Sequence, residues 1–198
     1  AQVQAWSAVN TGTANLAGLA EQAAMLAEAF AVLPGTVELV DPAPVTAIAA
    51  DGSAFDKPHG QHLVVRVRPQ ANRRILLTGH MDTVFPADHA FQHQRWLDEE
   101  TLNGPGVADM KGGIAVMLHA LLAFEQTAAA SSLGYDVLIN SDEETGSMSS
   151  ATLIRDLAAE WGTTDIVASP HSNLEYKFDP AVVESRLAEL REAAGDTA

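Results

Sequence analysis

Apolar positions recur at two spacings along the chain, and these divide it into helices and strands. Leu16, Leu19, Ala23, Leu26 and Phe30 fall three or four apart and predict a helix. Candidate N-caps lie at residues 11–15, and Pro34-Gly35 ends the pattern. One apolar face means that this helix lies on a sheet. Val37-Glu38-Leu39-Val40 alternates weakly and predicts a strand, followed by a loop or loosely paired edge over residues 41–58. Residues 62–67 and 73–78 predict two further strands, and the Pro69-Gln70-Ala71-Asn72 turn suggests that they form a hairpin. Residues 87–102 are polar and predict a loop and short strand, anchored by Phe91 and Trp96. A helix follows over 112–126, with Ile114, Met117, Leu118, Leu121 and Leu122 as its stripe. Residues 135–140 predict a buried strand, and 149–161 a helix with Leu153, Ile154 and Leu157 facing inward. A short strand is expected at 165–168. Beyond it, a strand at 174–178 precedes a helix over 180–194, opened by Asp179 as N-cap and Pro180 at the first position.

Strands alternating with helices give an α/β fold, a largely parallel mixed sheet sandwiched by helices. A chain of 198 residues favours one domain with a sizeable core, or one domain plus a remnant. Lys and Arg total 11 against 26 Asp and Glu, and the formal charge of −15 argues against nucleic acid or an anionic membrane as partner. Without cysteine, neither a disulfide framework nor a thiolate zinc site is available. No apolar run approaches the ~18 residues of a membrane span. No basic segment leads into an apolar one at the start, so the expected compartment is the cytoplasm, with the periplasm left open because the chain starts without Met.

Three polar islands interrupt the pattern, each at the end of an apolar run or the start of a helix. Gly79-His80-Met81-Asp82 follows Ile75-Leu76-Leu77. Gly104-Pro105-Gly106-Val107-Ala108-Asp109-Met110-Lys111-Gly112-Gly113 precedes the helix over 112–126. Ser141-Asp142-Glu143-Glu144-Thr145-Gly146-Ser147 follows Val137-Leu138-Ile139. Ligands collect at the carboxyl ends of strands in open α/β sheets, and His, Asp and Glu are the nitrogen and oxygen donors that zinc takes. Taken singly, His80 reads as a polar strand-end histidine, Asp109 as an N-cap, and Asp142-Glu143-Glu144 as a solvated turn. Glu143 and Glu144 are adjacent, so at a strand end their side chains diverge and suit two different tasks. Lys111 is a candidate carboxylate binder, although a lysine at a helix start is more often exposed. His59, His62, His89 and His93 read as surface residues, and His119 as packed within its helix.

Together, the three islands resemble the catalytic core of the M20 family of zinc metallopeptidases, on the words Gly79-His80-Met81-Asp82-Thr83-Val84, Asn103 to Gly113, and Asp142-Glu143-Glu144-Thr145-Gly146-Ser147. The resemblance runs to about Ser169. It implies a zinc-exopeptidase-like catalytic domain over 1–172. Residues 173–198 are similar to the last strand and helix of the family's inserted dimerisation domain, so most of that insert and everything downstream is expected to lie outside this chain. His80, Asp109 and Glu144 are implied as metal ligands, with Asp109 bridging two metals and followed by a cis peptide bond. Asp82 matches the carboxylate that fixes the tautomer of the ligating imidazole, and Glu143 matches the general base. Two zinc ions are expected for the family, with Co2+ or Mn2+ as substitutes. For this chain alone, whose donors suit at most one well-held ion, one ion or none is expected. His171 stands where the family places a further carboxylate ligand and is either a substitute or junction sequence, and the family's final histidine has no counterpart. The implied activity is hydrolysis of an amide, peptide or N-acyl, in a small carboxylate-bearing substrate. A homodimer is implied where the inserted domain is present. The rival expectation is a catalytically inactive metal-binding fragment or interaction module.

Overall fold

The computed structural model describes residues 1–160 and, beyond them, Ala181 and Ser185. The boundary at 172/173, the strands expected at 165–168 and 174–178, His171 and most of the helix expected at 180–194 lie outside these residues. The chain divides into two units, Ala1–Gly162 and Thr163–Ala198, and every element named below belongs to the first.

In chain order the helices are α1 (Gln2–Ser7), α2 (Leu16–Phe30), α3 (Gly112–Glu125) and α4 (Ala151–Glu160). The strands are β1 (Thr36–Val40), β2 (Thr46–Ile48), β3 (Ala54–Asp56), β4 (His62–Val67), β5 (Arg74–His80), β6 (Arg95–Trp96), β7 (Leu102–Asn103) and β8 (Gly134–Asn140). Helix α1 has no counterpart among the expected elements. Asn15 caps α2 by accepting the Gly18 N–H at 3.2 Å.

The main sheet has the order β1-β4-β8-β5. It is mixed and lies between helices, as expected. Its parallel share is smaller than expected among the described residues: β1–β4 and β4–β8 are antiparallel, and only β5–β8 is parallel. The hairpin expected between β4 and β5 does not form, because β8 lies between them. Every residue of β8 is buried, so the chain gains most by giving this strand two neighbours and a helix layer on each face. The turn at 68–73 therefore steps across two strand spacings of about 4.8 Å. Gly134 starts β8 beneath this turn, where a Cβ would lie 2.4 Å from the Arg68 carbonyl oxygen.

Alternation along the central strands sorts the core into two layers. Leu63, Val65 and Val67 of β4 join Tyr135, Val137 and Ile139 of β8 on one face. There they pack against Leu19, Ala23, Leu26 and Phe30 of α2 and Ile114, Leu118 and Leu121 of α3. Val64 and Leu138 point the other way and meet Leu157 of α4. Residues 107–125 are long and apolar enough to cross a membrane by length and composition, yet Ile114, Leu118 and Leu121 serve the core of this fold. Trp96 is not the anchor expected, being exposed on its two-residue strand. Phe91 instead packs edge-on against Phe85, ring centres 5.0 Å apart.

Candidate metal centre

The parallel ladder of the main sheet, β5–β8, carries two of the three islands. In β5–β8 the pairing runs to His80 opposite Asn140, and the Met81 N–H donates to the Asn140 carbonyl at 2.8 Å. Both strands thus deliver their following residues at the same end of the sheet. His80 closes β5, and residues 141–147 leave β8 beside it. The third island arrives from the side. Asp109 lies in a five-residue bulge, Val107–Lys111, at the head of α3, and its peptide bond to Met110 is cis, as the resemblance implies. Met110 ties this bulge to β5. Its sulfur accepts the His80 N–H at 3.3 Å and occupies the space beside Gly79, where a Cβ would be 3.2 Å away.

One ligand atom each from His80, Asp109 and Glu144 falls within 4.8 Å of the others. The His80 Nε2 lies 3.0 Å from Asp109 Oδ1 and 3.9 Å from Glu143 Oε2. Its Nδ1 faces inward, 3.1 Å from the Asp82 carbonyl oxygen and 3.3 Å from Asp82 Oδ1. The outward nitrogen is therefore the one turned to the carboxylates, the orientation a ligating imidazole needs. Burial works against an imidazolium here, but the hydrogen bond and charge of Asp82, the bond to Asp109 and the charge of Glu143 outweigh it and push His80 up to about 9. Burial also raises Glu144, as do the charges of Asp109, Asp82 and Glu143, against the opposite pull of His80. Carboxylates crowded on one buried imidazole form a site that favours positive charge. With one nitrogen and two oxygen donors, the residues present fit a divalent cation.

Asp82 does more than face His80. It is fully buried, and each of its oxygens meets two donors. Oδ1 accepts the Glu143 N–H at 3.2 Å and stands 3.3 Å from His80 Nδ1. Oδ2 accepts the Thr13 hydroxyl at 2.7 Å and the Glu144 N–H at 3.1 Å. Both glutamates are thus held through their backbone by the residue that orients the histidine. Thr13 was missed in the sequence, where only its place among candidate N-caps marks it.

Asp142 is no part of a solvated turn. Its carboxylate, fully buried, accepts the Ser149 N–H at 2.7 Å and the hydroxyls of Ser149 and Ser150 at 2.9 and 2.7 Å. Its carbonyl accepts the N–H groups of Thr145 and Ser147. This pins the loop that presents Glu143 and Glu144 to the start of α4. The cluster of serines at 147, 149 and 150 is the sequence signal that could have exposed it.

His62 and His59 are buried, not on the surface as expected. His62 Nδ1 accepts the Ser141 N–H at 3.3 Å, and Nε2 lies 3.4 Å from the Ser149 hydroxyl. His119 is exposed rather than packed, its Nε2 3.0 Å from Gln2 Oε1. Lys111, read as exposed, is fully buried and donates to the Trp6 and Val9 carbonyls at 3.0 and 2.9 Å. His89 and His93 are exposed, as expected.

His62 makes the fold acid-sensitive. Burial lowers its pKa from 6.5, helped by His59 and opposed by Asp142, Asp82 and its bond to Ser149. A depressed folded value means that the unfolded chain binds the proton first, so the contribution is complete above about 6.5 and is lost as pH falls below it. His80, raised to about 9, works the other way over the same range, so the comparison isolates His62: going from pH 7.5 to pH 5.5, the Tm of the wild type is expected to move further downward, relative to that of His62→Gln, in thermal melts.

Residues 76–192 match the sequence pattern described as Peptidase family M20/M25/M40. The chain belongs to this family. It is similar to carboxypeptidase G2 of Pseudomonas sp. (strain RS-16), 34% identical over 99 residues, which cover 50% of this chain and 24% of the relative. It is also similar to a succinyl-diaminopimelate desuccinylase of Novosphingobium aromaticivorans, 35% identical over 117 residues, 55% of this chain and 30% of the relative. The matches thus span about a quarter to a third of the curated relatives' length. Among solved structures, a dipeptidase of Saccharomyces cerevisiae superposes with a TM-score of 0.61 at 16% identity, covering 83% of this chain and 36% of that one. An M20 family metallo-carboxypeptidase of Sulfolobus solfataricus gives 0.56 at 17% identity, covering 80% and 34%. Both share the fold described above.

Proposed function

We propose that this chain supplies the metal-holding and proton-transferring groups of a zinc-dependent hydrolase that cleaves a peptide or N-acyl amide in a small, carboxylate-bearing substrate. The convergence of His80, Asp109 and Glu144 within 4.8 Å, with Glu143 alongside, carries this reading. The names of two relatives, a carboxypeptidase and a succinyl-diaminopimelate desuccinylase, support this substrate class. His80, Asp109 and Glu144 would hold the cation, zinc by the donor set, with cobalt or manganese as substitutes. When bound, such a cation supplies Lewis acidity toward the scissile carbonyl and toward water.

The remaining steps fall to the chain. Asp82 keeps the His80 Nδ1 occupied, so that Nε2 is the nitrogen that would give up its proton and turn its lone pair to a cation. Glu143, about half exposed, can take a proton from the attacking water as the C–O bond forms. It then returns that proton to the leaving nitrogen as the C–N bond breaks.

Two measurements on the full chain test the proposal. Elemental analysis after dialysis against trace zinc is expected to find at least one ion per chain. N-acyl amino acids and dipeptides with a free carboxylate are expected to be hydrolysed, with release of the amine. Zinc uptake without turnover would instead support a non-catalytic metal-binding module, and no uptake would overturn the ligand assignment. His80→Ala removes the sole nitrogen donor of the cluster, and its zinc content after dialysis is expected to fall well below wild type. Unchanged content would remove His80 from the ligand set.

A further inference from the structure

The N-terminal segment takes no part in the steps above, yet it touches the supports of the site from two sides. Lys111 stands two residues beyond Asp109. Its stem passes under Gly106, where φ is +68° and a Cβ would lie 3.1 and 3.2 Å from Lys111 Cδ and Cε. Its ammonium reaches the Trp6 and Val9 carbonyls, at the end of α1 and in the turn after it. A cation there also meets the negative end of the helix. Burying an ammonium is costly unless it is hydrogen-bonded, so these carbonyls determine where the side chain, and the bulge that bears it, can rest.

From Val9 the chain runs straight to the other islands. Asn10 Nδ2 donates to the Phe85 carbonyl at 3.0 Å, and the Thr11 carbonyl accepts the Thr83 N–H at 2.9 Å. Thr13 then donates to Asp82, from which His80, Glu143 and Glu144 all hang. Two direct links between the first two islands also exist, the His80 N–H to Met110 sulfur contact and the 3.0 Å pair of His80 Nε2 and Asp109 Oδ1; a thioether is a weak acceptor, and the second pair joins two groups that would turn to the cation instead.

We infer that residues 6–13 form a strap that sets the spacing between Asp109 and the His80–Glu144 pair, with Lys111 and Thr13 as its two positioning residues. This rests on the metal-site reading above. Neither residue is among the donors that would hold the cation. Each acts through a ligand or a ligand's support.

The test uses the full chain with Thr13→Val, Thr13→Ser and Lys111→Met. Zinc affinity is read by competition with a chromophoric chelator, and ligand geometry by the visible absorption of the cobalt-loaded protein. Thr13→Val is expected to keep the wild-type far-UV spectrum, to bind zinc about 10–100-fold more weakly and to shift the cobalt bands. Thr13→Ser, which keeps the hydroxyl, is expected to restore both. Lys111→Met should move both readouts in the same direction; if it does not fold, the Thr13 pair decides alone. Wild-type affinity and spectrum in Thr13→Val would overturn the strap, as would Thr13→Ser behaving like Thr13→Val. A wild-type chain that takes up no metal would overturn the metal-site reading and this inference with it.

Discussion

Glu143→Gln is expected to lower the turnover of the zinc-loaded chain by about 10²–10⁴-fold, the range that a positioned proton-transfer group contributes. Metal content should not change. Glu143 lies outside the three-residue donor cluster, and its carboxylate is 3.9 Å from His80 Nε2. Stability should also be unaffected, because the side chain is about half exposed and substitutions at such sites usually stay within about 0.5 kcal/mol. The amide keeps the size of the carboxylate and removes its ability to accept a proton, so loss of kcat with intact zinc would isolate that one property. Three measurements decide it: kcat, zinc per chain and Tm. Wild-type turnover would take the base role from Glu143 and leave the proton path to another group. A loss of zinc in step with activity would make Glu143 a ligand.

The three islands were legible because each is a local word. His80 and Asp82 are two residues apart, Glu143 and Glu144 are neighbours, and the glycines around Asp109 mark a turn into a helix. The supports of those words come from far away in the chain. Thr13 and Asp82 are separated by 69 residues, and Lys111 and Trp6 by 105. A lysine before a helix reads as exposed when nothing nearby can accept its protons, and here the acceptors are backbone carbonyls, which carry no sequence signature. His62 misled for a similar reason. It follows a polar stretch at the start of β4, but its partners Ser141 and Ser149 arrive 79 and 87 residues later.

Strand order was hidden by a different competition. The turn at 69–72 has hairpin chemistry, and a two-strand ladder is locally favourable. The apolar run Val137-Leu138-Ile139 of β8 outweighs it, because that strand can be buried on both faces only from the centre of the sheet. The composition of residues 135–140 announced a buried strand without saying which neighbours it would separate. The same choice places β5 and β8 side by side and parallel, and so creates the edge from which His80 and Glu144 emerge together.

Asp82→Asn tests how much of the centre depends on that one buried carboxylate. The amide must present its NH2 at one of the two oxygen positions. At Oδ1 it would confront the Glu143 N–H and the Nδ1 of His80, 3.2 and 3.3 Å away. At Oδ2 it would confront the Thr13 hydroxyl and the Glu144 N–H. A hydroxyl can rotate and accept, whereas a backbone N–H cannot, so the second orientation should be preferred. The Glu144 N–H is then left without an acceptor, at a cost of roughly 1–3 kcal/mol, while His80 keeps both its contact to Oδ1 and the carbonyl of residue 82 at 3.1 Å. The loss is therefore expected to fall on the glutamate loop more than on the histidine. Zinc affinity should drop about 10–100-fold, Tm should fall, and hydrogen exchange should quicken at Glu144 before it does at His80. Adding Thr13→Val to Asp82→Asn removes the rotating hydroxyl and should no longer cost what Thr13→Val costs in the wild type, since the bond it breaks has already changed direction. Strict additivity of the two substitutions in zinc affinity would show that Thr13 and Asp82 act independently, and the hub would lose its link to the N-terminal segment.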